Sequence, residues 1–345
     1  MPVKNFFSQL SKTYIIAEIG VNHNGSLSLA KEMILSAKNS GADAVKFQTY
    51  SAERLVAPGT PKVKYQENSS SSNETHFEML KKLELSKNDH IELFEFCKKN
   101  EINFLSTPYD IESAKFLKKL GVNLFKTASA DIIDLPLHEY IASTKIPSII
   151  ATGMATISEI KNVIQIYEKI NNNDFIILHC VSNYPCSDSS LNMNVMNNID
   201  DKFNCSIGYS DHSIGFLASV IAVSKGAKLI EKHFTTDKLL PGPDHKASSS
   251  PDEFKELVKN IRRTERMLGN SDKCMQKEEQ EMSKVSRKSI FLSKDLNKDS
   301  VIKISDLSLM RPGDGILASN IKKVEGKKIN KDLEKGKKLA WDDLD

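Results

Sequence analysis

The sequence predicts a (β/α)8 barrel followed by a small, mostly β domain. Three observations carry that reading. Eight short apolar runs recur along the first 275 residues, segments with helical apolar spacing separate them, and the pattern breaks down beyond that point. A chain of 345 residues exceeds one small domain and suits two.

The runs that read as strands are 14–19, 44–50, 102–107, 124–129, 148–152, 175–180, 205–210 and 229–234. Between them, apolar side chains return every three or four residues: Ala30, Met33, Ile34 and Ala37 form one stripe. Ile160, Val163, Ile164 and Tyr167 form another, and Phe254, Leu257, Val258 and Ile261 a third. Strands that alternate with helices pair in parallel through crossovers, and eight such units in about 270 residues match a closed barrel. A doubly wound open sheet is the structural alternative.

Breakers fall where this order requires them. Gly41, Gly121 and Gly226 each follow a helical stretch and precede a strand, the place of a left-handed C-cap. Ser158 reads as one N-cap, and Ser250, with Pro251 after it and Glu253 three residues on, as another. The serine-rich stretch 58–75 reads as a surface loop, with a lid over the site as the alternative. Residues 270–286 are polar and charged. The expected division is a catalytic barrel over 1–275, a linker over 276–286 and a second domain over 287–345. At about 60 residues that domain has a marginal core of its own, so docking or dimerisation supports it.

Composition excludes several classes. The formal net charge is only +3, and basic residues alternate with acidic ones, which argues against a nucleic-acid footprint. No apolar run approaches the ~20 residues that span a bilayer. The start, Met1 to Phe7, lacks the long apolar stretch of a secretory leader. Five scattered cysteines without a Cys-x-x-Cys pair support neither a zinc cage nor a disulfide frame. A cytoplasmic protein with no membrane or nucleic-acid partner is expected.

In a parallel barrel the site is built at the C-terminal strand ends. Those ends carry Glu18, Lys46, Gln48, Thr107, Lys126, Ser129, Asp131, Ser182, Tyr184, Ser210, His212, Glu231 and His233. A lysine in a buried strand requires an anion. Two readings are open: Lys46 pairs with Glu18 and Lys126 with Asp131, or both lysines face a bound phosphate and carboxylate alongside Thr107, Ser129 and Ser210. His212 and His233 end consecutive strands, and two imidazoles with open positions suit Mn²⁺ better than Mg²⁺. Glu231 is either an outer partner of that metal or the ion-pair partner of Lys232 or Lys228. His23 and His179 also read as core residues. Asp244, in Pro241-Gly242-Pro243-Asp244, and Arg311, in Arg311-Pro312-Gly313, are either turn residues or side chains presented to a ligand.

The motifs Glu18-Ile19-Gly20-Val21-Asn22-His23-Asn24-Gly25, Lys46-Phe47-Gln48-Thr49, Ser106-Thr107-Pro108, Thr152-Gly153-Met154, Leu178-His179-Cys180, Tyr209-Ser210-Asp211-His212, Glu231-Lys232-His233-Phe234 and Gly242-Pro243-Asp244-His245 occur in this order. Together they resemble the N-acetylneuraminate (sialic acid) synthase family. The resemblance covers nearly the whole chain, and the tail around Arg311-Pro312-Gly313 looks like the antifreeze-like (SAF) domain of those enzymes.

The resemblance implies condensation of phosphoenolpyruvate with N-acetylmannosamine, with release of inorganic phosphate by C–O cleavage. It implies that His212 and His233 hold a divalent metal, Mn²⁺ preferred and Mg²⁺ or Co²⁺ as alternatives. Lys46, Thr107, Lys126, Ser129 and Ser210 would bind phosphoenolpyruvate. Glu18, Gln48, Tyr184 and Asp244 would line the sugar side, with Glu18 transferring or orienting a proton. A swapped homodimer is implied, in which Arg311 reaches the partner's sugar pocket. Two positions depart from the family pattern: Asp131 replaces a longer Glu, and Ser182 stands where some members carry Asn. Legionaminate and pseudaminate synthases are the nearest rivals, and the stretch from Gly242 to Ser248 favours the sialate or legionaminate branches. More distant rivals are a Schiff-base aldolase using Lys46 or Lys126 and a non-catalytic carbohydrate-binding protein.

Overall fold

The computed structural model describes residues 5–57, 59–62 and 75–345. Residues 58 and 63–74, most of the stretch read above as a loop or lid, lie outside them. The chain divides into two compact units, the first ending at Gly269 and the second beginning at Asn270.

Among the described residues of the first unit, eight strands form one parallel sheet: β1 (Tyr14–Gly20), β2 (Ala44–Thr49), β3 (Asn103–Pro108), β4 (Phe125–Thr127), β5 (Ser148–Ala151), β6 (Phe175–Cys180), β7 (Ser206–Asp211) and β8 (Leu229–His233). The order runs β3-β2-β1-β8-β7-β6-β5-β4, so β1 pairs with β8 and the sheet curls into a barrel. Strands β3 and β4 lie side by side along the remaining seam. All eight predicted runs are therefore strands. The fourth is shorter than expected, because a 3₁₀ turn over Ser129–Ile133 takes over where residues 128 and 129 were read as extended.

Around the sheet run α1 (Leu27–Asn39), α2 (His76–Leu83), α3 (Lys87–Lys99), α4 (Ile111–Leu120), α5 (Leu135–Ser143), α6 (Ile157–Lys169), α7 (Val195–Phe203), α8 (Leu217–Ser224) and α9 (Pro251–Leu268). Their buried faces are the predicted stripes; in α6 these are Ile160, Val163, Ile164 and Tyr167. The cap of α6 is Thr156 rather than Ser158. The Thr156 hydroxyl accepts from Glu159 N while the Glu159 carboxylate accepts from Thr156 N, a reciprocal pair that Ser158, two residues on and with Lys161 three residues ahead, cannot form. Ser250 and Glu253 make the same box at α9. Gly121 caps α4 in the left-handed region at φ +97°.

Strand side chains alternate, and the two faces differ in kind. Ile15, Ala17, Val45, Phe47, Phe104, Phe125, Ile150, Ile177 and Ile230 pack outward beneath the helices. The inward positions Tyr14, Ile16, Ala44, Leu105, Leu124, Ile149, Ile176, Leu178 and Leu229 form a separate apolar cluster inside the barrel, joined by the buried Phe7. This interior is apolar only toward the strand starts. Two residues further along each strand, the same parity presents Glu18, Lys46, Thr107, Lys126, Cys180, Ser210 and Glu231.

In the second unit, β9 (Ser289–Leu292) and β10 (Leu307–Met310) pair antiparallel, and single bridges such as Phe291 with Lys338 and Ile329 with Leu344 extend the β character. Ile290, Leu292, Ile302, Ile316, Val324, Ile329 and Leu339 form its core. The polar stretch expected as linker contains α10 (Gln280–Ser286), none of whose residues is buried. It belongs to the second unit, where Gly313 N donates to Lys284 O at 2.7 Å.

Replacing Ser250 with Ala removes the hydroxyl that caps α9. It is expected to lower the unfolding free energy of the first unit by about 1 kcal/mol, read by urea denaturation. Ser158→Ala, inside α6, is expected to leave it unchanged within about 0.5 kcal/mol.

Candidate active site

At the C-terminal end of the barrel is a cavity of about 550 Å³, within the rough 300–1,000 Å³ range of small-molecule sites. Glu18, Lys46, Gln48, Thr107, Lys126, Ser129, Ser182, Tyr184, Ser210, His212, His233 and Asp244 all line it, and so does Glu231. Two expected residues do not. Asp131 sits on the 3₁₀ turn after β4, with one buried carboxyl oxygen unpartnered, and its carboxyl is pushed up to about 7 by burial and by Asp134. Arg311 is exposed on a turn of the second unit.

The floor is a charged cluster. Lys46 Nζ lies 2.8 Å from Glu18 Oε2 and 3.7 Å from Glu231 Oε2, and it donates to Thr107 Oγ1 at 3.1 Å. Lys126 Nζ lies 3.6 Å from Glu231 Oε1 and donates to Thr127 O. The pairing of Lys46 with Glu18 is thus realised. That of Lys126 with Asp131 is not, because Lys126 points into the barrel toward Glu231 whereas Asp131 has left the strand. Glu231 in turn meets neither Lys228 nor Lys232, since Lys232 is one residue out of phase and faces outward.

Burial pushes the Glu18 carboxyl up, against the pull of Lys46. Burial also opposes the Glu231 carboxylate, but there the two lysines prevail and hold its pKa down. Two ammonium groups therefore share one firmly ionised carboxylate and one that readily takes a proton. Burial lowers the Lys126 ammonium as well, and both lysines border open volume that an anion can enter.

The two histidines stand side by side on the wall. Their ring centroids are 5.7 Å apart, and Tyr184 leans on both, at 4.2 Å from His212 and 5.4 Å from His233. His212 Nδ1 bonds to Val181 O at 2.7 Å, which makes Nδ1 the donor and leaves Nε2 a lone pair, 3.3 Å from Ser210 Oγ. His233 Nδ1 is buried and unpartnered. Burial lowers both imidazoles, His233 to about 3 with help from His212, so both are neutral at neutral pH as metal ligands must be. This donor set fits a divalent ion that keeps its other positions for water and substrate. Among the described residues no group of three or more His, Cys, Asp or Glu gathers for a metal.

His23 and His179 lie outside the cavity. His23 Nδ1 accepts from Gly25 N, and His179 bonds to Leu191 O. Asp244 is held at the rim because Asn22 on the β1 loop donates to Ser248 Oγ, which donates to Asp244 O. Burial pushes its carboxyl up to about 6.

Sequence reading missed one whole wall. Leu55, Val56, Met79, Leu80 and Leu83 from the segment after β2, with Val21 from the end of β1, form an apolar surface. The helical spacing of Met79, Leu80 and Leu83 was available as a signal. Cys180, of the same inward parity as Leu178, is not part of the lining but backs it, with its Sγ 3.1 Å from Ser129 Oγ.

The sequence profile of the NeuB family matches residues 33–273, and that of the SAF domain matches residues 287–345. The chain belongs to the NeuB family. It is 44% identical to the N,N'-diacetyllegionaminic acid synthase of Legionella pneumophila over 96% of this chain and 94% of that protein. The synthase of the same name from Campylobacter jejuni is 40% identical over 94% and 98%. The crystal structure of N-acetylneuraminic acid (sialic acid) synthetase from Leptospira borgpetersenii superposes with a TM-score of 0.71. That protein is 36% identical, and the match covers 79% of this chain and 90% of that one. This NeuB chain is thus a member of the nonulosonate synthases, and its second unit is a SAF domain. No helix among the described residues is long and apolar enough to cross a membrane.

One buried histidine braces the 3₁₀ turn that follows β4. His138 on α5 is fully buried, bonds through Nε2 to Asp131 O, and is lowered to about 4 by burial. The unfolded chain therefore takes up this proton below about pH 6.5, while the folded chain resists it until about pH 4, so stability falls as pH falls through that window. In urea titrations from pH 7 to pH 4, the stability of the wild type relative to His138→Gln is expected to drop by about 3 kcal/mol.

Proposed function

We propose that this chain condenses phosphoenolpyruvate with an N-acetylated amino-sugar aldehyde, giving a nonulosonate and inorganic phosphate. The observation that carries the reading is the convergence of Lys46, Lys126, His212 and His233 on one cavity. Lys46 and Lys126, with the hydroxyls of Thr107, Ser129 and Ser210, bind the phosphate and carboxylate of phosphoenolpyruvate. Gln48, Tyr184 and Asp244 orient the sugar. His212 and His233 hold a divalent metal, Mn²⁺ by the preference of imidazole donors. Bound there, such an ion supplies Lewis acidity to the aldehyde oxygen.

Phosphoenolpyruvate C3 forms the new bond to the aldehyde carbon, and the aldehyde oxygen takes a proton, for which Glu18 is the donor because burial keeps its carboxyl basic. Water then adds at C2; one of its protons returns to the Glu18 carboxylate and the other leaves with the phosphate as the C2–O bond breaks, and C2 becomes the keto carbon. The reading includes a cytosolic setting, supported by five unpaired thiols, and a swapped homodimer in which the exposed Arg311 completes the partner's sugar site.

For the acceptor, the family resemblance implies N-acetylmannosamine, the precursor of sialic acid, while the stretch from Gly242 to Ser248 fits the sialate and legionaminate branches alike. The two relatives named for N,N'-diacetyllegionaminic acid favour a 2,4-diacetamido-6-deoxy sugar instead. The apolar wall supports that second reading. A sugar whose aldehyde carbon sits at the charged floor extends its far end away from the polar groups, where a buried hydroxyl without a partner costs roughly 1–3 kcal/mol.

Phosphate release measured with each acceptor separates the two, and turnover of the first alone refutes the second. Lys126→Met is expected to lower kcat/KM for phosphoenolpyruvate at least about 100-fold, the scale of stripping a charged partner from a buried anion. His233→Ala is expected to abolish both bound metal and phosphate release. Unchanged phosphate release in either variant ends the proposal.

A further inference from the structure

The barrel buries one ion pair that the reaction does not use. Asp211 on β7 and Lys232 on β8 face outward, toward the helices, with Nζ and Oδ2 3.1 Å apart and side chains 0% and 3% exposed. They are register partners across the two strands. Lys232 Nζ also donates to Ser213 O at 2.6 Å. Asp211 Oδ1 accepts from Ser213 N and Ser213 Oγ, at 2.9 and 2.6 Å, and Oδ2 accepts from Ser219 Oγ of α8 at 2.6 Å. A fully satisfied charged network thus occupies a layer that is otherwise apolar.

Apolar side chains of similar volume fill such a layer at least as stably, so stability alone does not account for the pair. Its location does. Asp211 lies between the inward-facing Ser210 and His212, and Lys232 between the inward-facing Glu231 and His233. On β7 and β8, every cavity side chain adjoins one member of the pair. Both Asp211 and Lys232 also clamp Ser213, the residue after His212, so the backbone that carries this imidazole is held from two strands.

We propose that Asp211 and Lys232 are positioning residues, a cross-strand register lock that sets the two imidazoles at the spacing a metal requires. This rests on the metal reading given above. The pair touches neither substrate nor metal. It acts by denying the 211–213 turn any freedom to rotate His212 away from His233.

The test compares Asp211→Asn, Lys232→Met and the double variant in the full-length protein, measuring thermal unfolding and Mn²⁺ binding by electron paramagnetic resonance titration. Each single variant strands a buried charge and is expected to lower Tm. The double variant removes both charges and is expected to regain most of the lost Tm. It is nevertheless expected to bind Mn²⁺ 10- to 100-fold more weakly, roughly the loss seen when groups behind metal ligands are removed. A double variant with wild-type Mn²⁺ affinity, or affinities that merely follow Tm across the three variants, overturns the positioning role. A wild type that binds no more Mn²⁺ than His233→Ala overturns the metal reading itself, and the role with it.

Discussion

Two ammonium groups and two carboxylates share the barrel interior at one level, and the rest of the site is arranged around that burial. Lys46, Lys126, Glu18 and Glu231 are each less than 5% exposed. Any one of them alone there would carry a penalty of several kcal/mol. Together they are mutually compensated, with Glu231 held ionised by both lysines while burial pushes the Glu18 carboxyl up. An apolar layer of Ile16, Ala44, Leu124 and Leu229 closes the barrel on the strand-start side of these charges, so the field they set up opens toward the cavity. The charged floor follows from strand parity plus one change of residue type, from aliphatic to charged, two positions along β1, β2, β4 and β8.

Parity also explains which features were legible in the sequence. The eight strands could be found because each is a short apolar run, and the inward set follows once a strand's phase is known. Lys46 and Lys126 fall on the same face as Ala44 and Leu124, and His233 on that of Leu229 and Glu231. The parts that resisted reading depend on contacts between segments distant in the chain. Whether Lys126 meets Asp131 or Glu231 turns on where β4 gives way to a 3₁₀ turn, and three strand residues leave almost no periodicity to fix that point. Ser158 and Thr156 are both plausible caps by residue type, and the choice lies in which of them has Glu three residues ahead. The apolar wall comes from a helix whose spacing is evident but whose orientation over the cavity is a tertiary fact. Arg311 lies in a separate unit, and no local pattern assigns it to a site.

The two histidines show how a short local signal gains meaning from its surroundings. Alone, a histidine at a strand end is as well explained by a backbone carbonyl, which is what His179 finds in Leu191 O. His212 has such a carbonyl as well, at Val181, but only for one ring nitrogen, and His233 has a buried nitrogen with no partner. His138 also has a buried nitrogen without a partner, so what sets His212 and His233 apart is their place: both line the cavity, whereas His138 and His179 do not, and that placement requires coordinates.

The cavity combines two surfaces with opposite demands. Its floor favours anions and its outer wall favours apolar carbon, so a single polar molecule fits neither part fully. The two reactants proposed above would divide it: the small anionic one on the lysines, and the larger one with its reactive end at the histidines and its remainder on Val21, Leu55, Met79 and Leu80. Since the floor is built from barrel strands and the wall mostly from the segment after β2, the two can vary independently. On the proposed reading, changes in the wall would alter which sugar is accepted without disturbing the two lysines that would hold the anion, in keeping with a family whose members are named for different products.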